Sequence, residues 1–344
     1  MAKLNFGLII PQGWQLELPP EMSPKEQFDL IVEMSKEAER IGYDSIWFFD
    51  HFQTSPLIPA VPPTHGKSSV FECWTTISAV AMETEKIRLG QIVTCALYRN
   101  PAYFGKISSV VDVMSNGRLE LGIGAGWDEY EFKGYGYLFP KFKERAERLD
   151  ETVEIIKKMW TEDITNYKGK YFKLVNNFNY PKPIQKPHPP ILIGGGGEKY
   201  TLSVVAKHAD KWNYGWGIEG YRKKKQALQK HCESIGRDIR EIKFTYTSDL
   251  IVAETRKEAE ELFVNWREQQ SKVLGKKVKV NLEEFRSSQI LGSTEEALET
   301  LERIVKELNV TEFILYMPVA TDLKLMNLLH KDVVKPLKEY AESL

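Results

Sequence analysis

PPILIGGGGEKYTLSVVAKHADKWN, Pro189–Asn213, is the stretch whose reading decides the fold. Ile191, Leu192 and Ile193 form an apolar strand-like run, four consecutive glycines (Gly194–Gly197) end it, and a helical pattern from Tyr200 to His208 follows at once. Four glycines weaken both a strand and a helix, because glycine loses the most backbone freedom on folding. In a strand–loop–helix unit of a barrel the loop lies on the rim, at the strand's C-terminal end. There, glycines let backbone N–H groups converge on an anion, and the N-terminus of the next helix adds its positive dipole end. Gly194–Gly197 followed by Glu198 and Lys199 fits a phosphate cradle. A tight turn with no ligand is the alternative reading.

The same alternation runs outward in both directions. Strand patterns are expected at Asn5–Ile10, Ser45–Phe49, Ile87–Thr94, Arg118–Ile123, Pro190–Gly194, Lys211–Tyr214, Ile242–Val252 and Glu312–Met317. Helical patterns fall between them, at Pro24–Ile41, Phe71–Met82, Pro101–Met114, Phe142–Trp160, Tyr200–His208, Gly220–Ile235, Lys257–Leu274 and Thr294–Leu308. A last helix, Leu323–Ala341, follows the eighth strand. Within the helices apolar residues recur three and four apart, as in Phe28, Ile31, Val32 and Ala38. Eight strands each followed by a helix predict an α/β protein, a (β/α)8 TIM barrel. A doubly wound open sheet usually has fewer strands and a cofactor fingerprint after the first one, where this chain has PQGW. Three longer connections, Gln53–Ser69, Thr161–Lys186 and Lys272–Ile290, read as rim-loop insertions. The first is proline-rich, the second contains KGKYFKL and suggests a small hairpin, and the third is basic and expected to be mobile. No internal repeat is visible, so residues 1–344 read as one domain.

Composition narrows the function. With 42% hydrophobic residues the chain can bury a large core, and 47 basic residues against 48 acidic ones leave a net charge of -1. Neither nucleic acid nor an anionic membrane is the expected partner. Cys73, Cys95 and Cys232 are odd in number and far apart, which suggests a reducing cytoplasm rather than a disulfide framework. MAKLNFGLIIPQG has too short and broken an apolar run for a signal peptide, and no segment approaches the ~20 apolar residues of a membrane span. GKS at Gly66–Ser68 lacks the glycine a P-loop needs at Val61. There is no H-E-x-x-H, no paired C-x-x-C and no G-x-S-x-G, so no metal site is expected.

Three further features fall at strand ends. In GRLELGIGAGW, Gly122, Gly124 and Gly126 alternate and would share one face, which admits a flat ring or another backbone, or simply eases a bend. SIWFFDHF places Asp50 and His51 directly after an apolar strand, where a carboxylate beside an imidazole can exchange protons near neutral pH. In VTCALYRNP, Thr94 can donate a hydroxyl to a ring carbonyl, while Asn100-Pro101 starts the next helix. In a barrel all four features would surround one cavity.

On these residues the chain resembles the bacterial luciferase-like monooxygenase superfamily, and within it the oxidoreductases that use the deazaflavin coenzyme F420. GYDSIWFFDHF, RLGQIVTCALYRNPAYFGKISSVVDVMSNGRLELGIGAGWDEYEFKGYG and KPHPPILIGGGGEKYTLSVVAKHADKWN carry the likeness, which covers roughly Asn5 to Trp216. The resemblance implies a (β/α)8 barrel in which Gly195, Gly196, Gly197 and the adjoining Glu198 take the cofactor phosphate. Asp50 and His51 would lie near the reactive face of the ring, His51 as the proton donor or acceptor. Thr94 would meet the ring's polar edge. A non-prolyl cis peptide would fall behind the ring, around Gln91–Ile92. Gly124 and Gly126 would line the ring or its side chain, with Trp127 and Glu131 at the pocket mouth. Some relatives place a carboxylate where Trp127 stands; here Glu129 and Glu131 are the nearby carboxylates.

The resemblance therefore implies an oxidoreductase moving a hydride between F420 and a small organic substrate. The alternatives are a two-component FMN-dependent monooxygenase using reduced flavin and oxygen, and a flavin-binding protein without catalysis. A barrel hydrolase or aldolase has no supporting lysine or metal cluster at the strand ends. A homodimer and a separate flavin or F420 reductase are further expectations from the family. Trp14, Phe52, Trp127, Trp212 and Trp216 suggest an apolar pocket, with plain core as the alternative reading for each.

Overall fold

The structure is a computed structural model and describes residues 3–54, 68–215, 217–275, 277–319 and 321–343. The strands are β1 (Asn5–Ile9), β2 (Ser45–Phe48), β3 (Arg88–Gln91), β4 (Thr94–Cys95), β5 (Leu119–Gly124), β6 (Ile164–Lys168), β7 (Lys173–Phe178), β8 (Ile191–Gly194), β9 (Lys211–Tyr214), β10 (Lys243–Ala253), β11 (Ile290–Ser293) and β12 (Glu312–Tyr316). The helices are α1 (Pro24–Ile41), α2 (Cys73–Glu83), α3 (Pro101–Met114), α4 (Glu129–Gly134), α5 (Phe142–Thr161), α6 (Thr201–His208), α7 (Ile218–Ser234), α8 (Arg256–Leu274), α9 (Leu282–Arg286), α10 (Thr294–Leu308), α11 (Leu323–Leu329) and α12 (Lys335–Ser343). Apart from the short β4, the β6–β7 hairpin and the edge strand β11, eight parallel strands alternate with helices, and the fold is a (β/α)8 TIM barrel.

The chain divides into two compact units. The first comprises Met1–Glu72, Gly215–Arg222 and Phe244–Leu344. Its strands run in the order β11-β10-β12-β1-β2, all parallel. β1 is an apolar run with its last four residues buried, as a strand covered on both faces should be. Helix boundaries follow local chemistry. Ser23 closes a capping box with Glu26 at the start of α1, Pro24 occupies the first turn, and Gly42 ends the helix in the left-handed region. Ser293 and Thr255 cap α10 and α8 in the same way.

The second unit comprises Cys73–Tyr214 and Lys223–Lys243. Its main strands run β3-β5-β8-β9, with β4 also paired to β5. Asn100 accepts the amides of Ala102 and Tyr103, so Asn100-Pro101 does start α3. KGKYFKL does form a hairpin, and the Glu151 carboxylate accepts the amides of Lys170, Tyr171 and Phe172 at its turn.

Four expectations need adjusting. The third strand is not continuous from Ile87 to Thr94: it stops at Gln91 and resumes at Thr94. The Lys272–Ile290 connection contains α9, whose first turn is capped by the Asn281 side chain. β11 was not anticipated, being a four-residue strand with a glycine inside it. The last helix is divided by a π-turn at His330–Val334. Within the proline-rich insertion, residues 55–67 lie outside the described residues, as does Trp216.

Candidate active site

The first unit carries Asp50 and His51, immediately beyond β2. Asp50 is buried and His51 half-buried. The imidazole lies flat on Trp14, centroids 4.0 Å apart and planes 1° apart, so one of the expected pocket aromatics orients the histidine. Backbone position is set by Gln12, which is 1% exposed. Its amide nitrogen donates to the carbonyls of Phe49 (3.2 Å) and Phe71 (3.0 Å), and its carbonyl accepts the Phe49 amide at 2.5 Å. Gln12 thus clamps the residue just before Asp50. The loop that carries it folds around Glu17, whose carboxylate accepts the amides of Gln12, Gly13 and Gln15. Burial raises the Glu17 pKa, and those amides only partly offset it. Neither residue stood out from the sequence. A polar Gln12 ending an apolar strand is the one signal that was present.

The second unit carries the glycine positions and Thr94. The non-prolyl cis peptide is present, but at Ile92–Val93, one residue beyond the expected place. It falls in the gap between β3 and β4, which is where the strand breaks. Gln91 is fully buried; its Oε1 accepts the Gly122 amide at 3.3 Å, while its Nε2 has no partner. Ile92 is half-buried. Thr94, also fully buried, accepts the Trp74 indole N–H at 3.2 Å, which leaves its hydroxyl proton to donate.

The glycine face of β5 is filled by protein. A side chain on Gly122 would overlap the Gln91 carbonyl oxygen, one on Gly124 would meet Val93 at 2.7 Å, and one on Gly126 would meet Cys95 at 2.6 Å. These glycines admit the broken third strand. Trp127 is 62% exposed, whereas Glu131 is fully buried and accepts the Tyr98 hydroxyl at 2.8 Å. Glu131 is thus a buried carboxylate held by Tyr98 rather than an exposed one.

Gly194–Gly197 leave β8 and enter α6. Gly195 has φ +123°, donates its amide to Asn213 and accepts the Trp212 indole N–H at 2.9 Å. Trp212 is fully buried core and stacks on Tyr214 at 5.9 Å. Gly196 packs on that Tyr214 ring, and a side chain on Gly197 would meet Phe142 at 2.6 Å. The amides of Gly196 and Gly197 make no hydrogen bond among the described residues, and α6 has no side-chain cap. Unpaired amides at an uncapped helix N-terminus suit an anion. Lys224 donates to the Glu198 carboxylate at 2.7 Å, holding its pKa below the ordinary value, and so offsets its charge beside the loop.

At the opposite end of these strands a buried ion triad does a structural job. Glu120 accepts Lys211 and Arg88, both at 2.5 Å. Burial pushes the Glu120 carboxyl up, but the two cations outweigh it and leave its pKa lowered.

The luciferase-like monooxygenase family model matches residues 5–311. An F420-dependent glucose-6-phosphate dehydrogenase from Amycolatopsis mediterranei is 33% identical over 234 residues, covering 64% of this chain and 66% of that protein. A protein of the same description from Segniliparus rotundus is 31% identical over 244 residues, 67% of each chain. The matches thus span about two thirds of these relatives. An F420-dependent secondary alcohol dehydrogenase, solved with an F420–acetone adduct, has a TM-score of 0.77 at 21% identity and covers 98% of this chain and 99% of its own. A long-chain alkane monooxygenase has a TM-score of 0.77 at 17% identity over 99% of this chain and 92% of its own. Both share the barrel fold.

Proposed function

The chain belongs to the luciferase-like monooxygenase family, and on that premise we propose that it is an oxidoreductase using coenzyme F420 to exchange a hydride with a small organic substrate. The observation that carries the proposal is the cradle at Gly196 and Gly197: two unpaired amides at the uncapped N-terminus of α6. It suits a phosphate-bearing cofactor, and the sequence relatives are named as F420 enzymes. The buried, unpartnered Gln91 Nε2 and the free hydroxyl proton of Thr94 are donors that match the polar edge of a deazaflavin ring.

The coenzyme, when bound, supplies the hydride chemistry. The chain supplies position and a proton. Gly195, Gly196, Gly197 and the Glu198 backbone would hold the phosphate, with Lys224 offsetting the Glu198 charge. Gln91, Ile92 and Thr94 would line the ring, and the close packing of Gly124 on Val93 and of Gly126 on Cys95 holds that segment in place. His51, held flat on Trp14, would give or take the proton, with Asp50 the neighbouring carboxylate in the chain. Trp127, largely exposed, is offered as a further cofactor contact. The proposal extends to a homodimer in the cytoplasm and to a separate reductase that regenerates the cofactor; three buried cysteines that form no disulfide are in keeping with a reducing compartment. The family match runs through both compact units, which supports treating residues 1–344 as one domain.

The test is His51→Ala with F420 turnover and F420 affinity measured side by side. Turnover should fall ~100-fold, the usual worth of a general acid–base, with affinity changed less than about threefold. Equal turnover in mutant and wild type removes His51 from the chemistry.

A further inference from the structure

Arg145 lies in the first turn of α5 and is 8% exposed, a rare place for a charge. Its guanidinium is hydrogen-bonded on one side only, where Nη1 donates to the Pro140 carbonyl at 2.7 Å. The buried Nε has no partner, and no described residue forms an ion pair with the group. Burial lowers its pKa, and although the charges of Cys95 and Glu129 oppose that shift, neither residue pairs with it. The guanidinium carbon lies 4.1 Å from the centre of the Phe139 ring and 5.5 Å from that of Phe142, so two aromatic rings fix its position. A buried charge is costly unless it is paired. This one is held in place without an anion from the protein.

The edge left open has a particular shape. Arginine takes a phosphate side-on, through the parallel N–H groups of Nε and Nη2. Here the bond to Pro140 uses Nη1 and leaves that pair. Nη2, without a described partner, keeps contact with solvent, which opens the edge to a ligand. Phe142 ties the arginine to the glycine loop. A side chain on Gly197 would meet the Phe142 ring at 2.6 Å, and the guanidinium lies against the same ring. The open edge, the unpaired amides of Gly196 and Gly197 and the uncapped N-terminus of α6 thus gather around Phe142. Lys224, also beside the loop, is already committed to the Glu198 carboxylate.

We propose that Arg145 is the cationic arm of the cradle: its Nε–H and Nη2–H donate to the phosphate whose remaining oxygens accept the amides of Gly196 and Gly197. The charge that lacks a partner in the protein finds it in the ligand. This deepens the oxidoreductase reading by naming a further binding residue for the cofactor's anion, and rests on that reading for the identity of the ligand.

The experiment is a phosphorus NMR titration of the full-length protein with inorganic phosphate, beside fluorescence titrations with F420 and with its phosphate-free chromophore fragment. Arg145→Met keeps the side-chain bulk and removes the fork; Arg145→Lys keeps the charge alone. Wild type should bind phosphate saturably. Arg145→Met should weaken phosphate and F420 about 30-fold, the worth of a bidentate charged contact, with the fragment changed less than about twofold. Arg145→Lys should recover only part of that loss, because lysine presents a point charge and no fork. No saturable phosphate binding in wild type, phosphate affinity unchanged in Arg145→Met, or an equal loss for the phosphate-free fragment overturns the assignment. If Arg145→Met does not fold, Arg145→Lys decides, and phosphate affinity equal to wild type overturns the fork. Phosphate binding that depends on Arg145, with no F420 binding, overturns the proposed function instead and leaves the arginine's role standing.

Discussion

Gly196→Val is the sharpest test of the phosphate cradle. A Cβ at this position lies 2.5 Å from Tyr214 Cε2 and 3.0 Å from Cδ2, about 1 Å inside ordinary contact. Tyr214 is poorly placed to yield, because its ring stacks at 7° on Trp212, whose indole is bonded to the Gly195 carbonyl. The loop must move instead. Overpacking of this kind costs ~1–3 kcal/mol. Swinging both amides off the phosphate loses hydrogen bonds to a charged group worth ~1.5–3 kcal/mol apiece. The expected loss is therefore about 3 kcal/mol of F420 binding, or roughly 100-fold in Kd. The assay is fluorescence titration with F420 and, in parallel, with its phosphate-free chromophore fragment. The fragment should bind mutant and wild type alike, and the melting temperature reports folding. Unchanged F420 affinity, or an equal loss for the phosphate-free fragment, refutes the cradle.

Two other predictions concern stability. Glu120→Gln leaves Lys211 buried without its anion, so stability at pH 7 should drop ~3 kcal/mol in denaturant melts while F420 affinity holds. The folded Glu120 pKa lies below its ordinary value, so its contribution is complete above about pH 4.5 and is lost as pH falls through the folded value. The wild type–mutant gap should accordingly close in acid, and a gap that widens there contradicts the triad. Asp249→Asn should act in the other direction. Its carboxyl titrates near pH 7 when folded and near 3.8 when unfolded, so ionisation penalises the native state increasingly as pH rises between these values. Discounted for solvent contact, removing the charge should add about 2 kcal/mol at pH 8 and distinctly less at pH 5. A mutant less stable than wild type at pH 8 contradicts the burial argument.

The architecture was readable because each strand–helix pair carried its own periodicity and punctuation: Pro24 and Gly42 around α1, Asn100-Pro101 before α3, the glycines before α6. Where reading failed, the decisive contact was remote in sequence. Nothing local to Ile87–Thr94 announces that the strand breaks at Gln91, since the break is accommodated by Gly122 and Gly124 some thirty residues on. The alternation of Gly122, Gly124 and Gly126 is visible in the sequence, but whether they face a ring or a neighbouring backbone depends on that packing. The resemblance implies a place for Glu131 at the pocket mouth, but only the Tyr98 hydrogen bond reveals that its carboxylate is buried. Gln12, Arg145 and Asp249 sit in otherwise ordinary strand and helix patterns, and only burial and hydrogen bonding single them out.

The central claim is the identity of the cofactor, and anaerobic fluorescence titration of the purified protein tests it most directly. F420 and FMN are each titrated, oxidised and reduced. The account predicts tight binding of F420 and weak binding of either form of FMN. Tight binding of reduced FMN with none of F420 contradicts it and makes the chain an oxygen-using flavin enzyme.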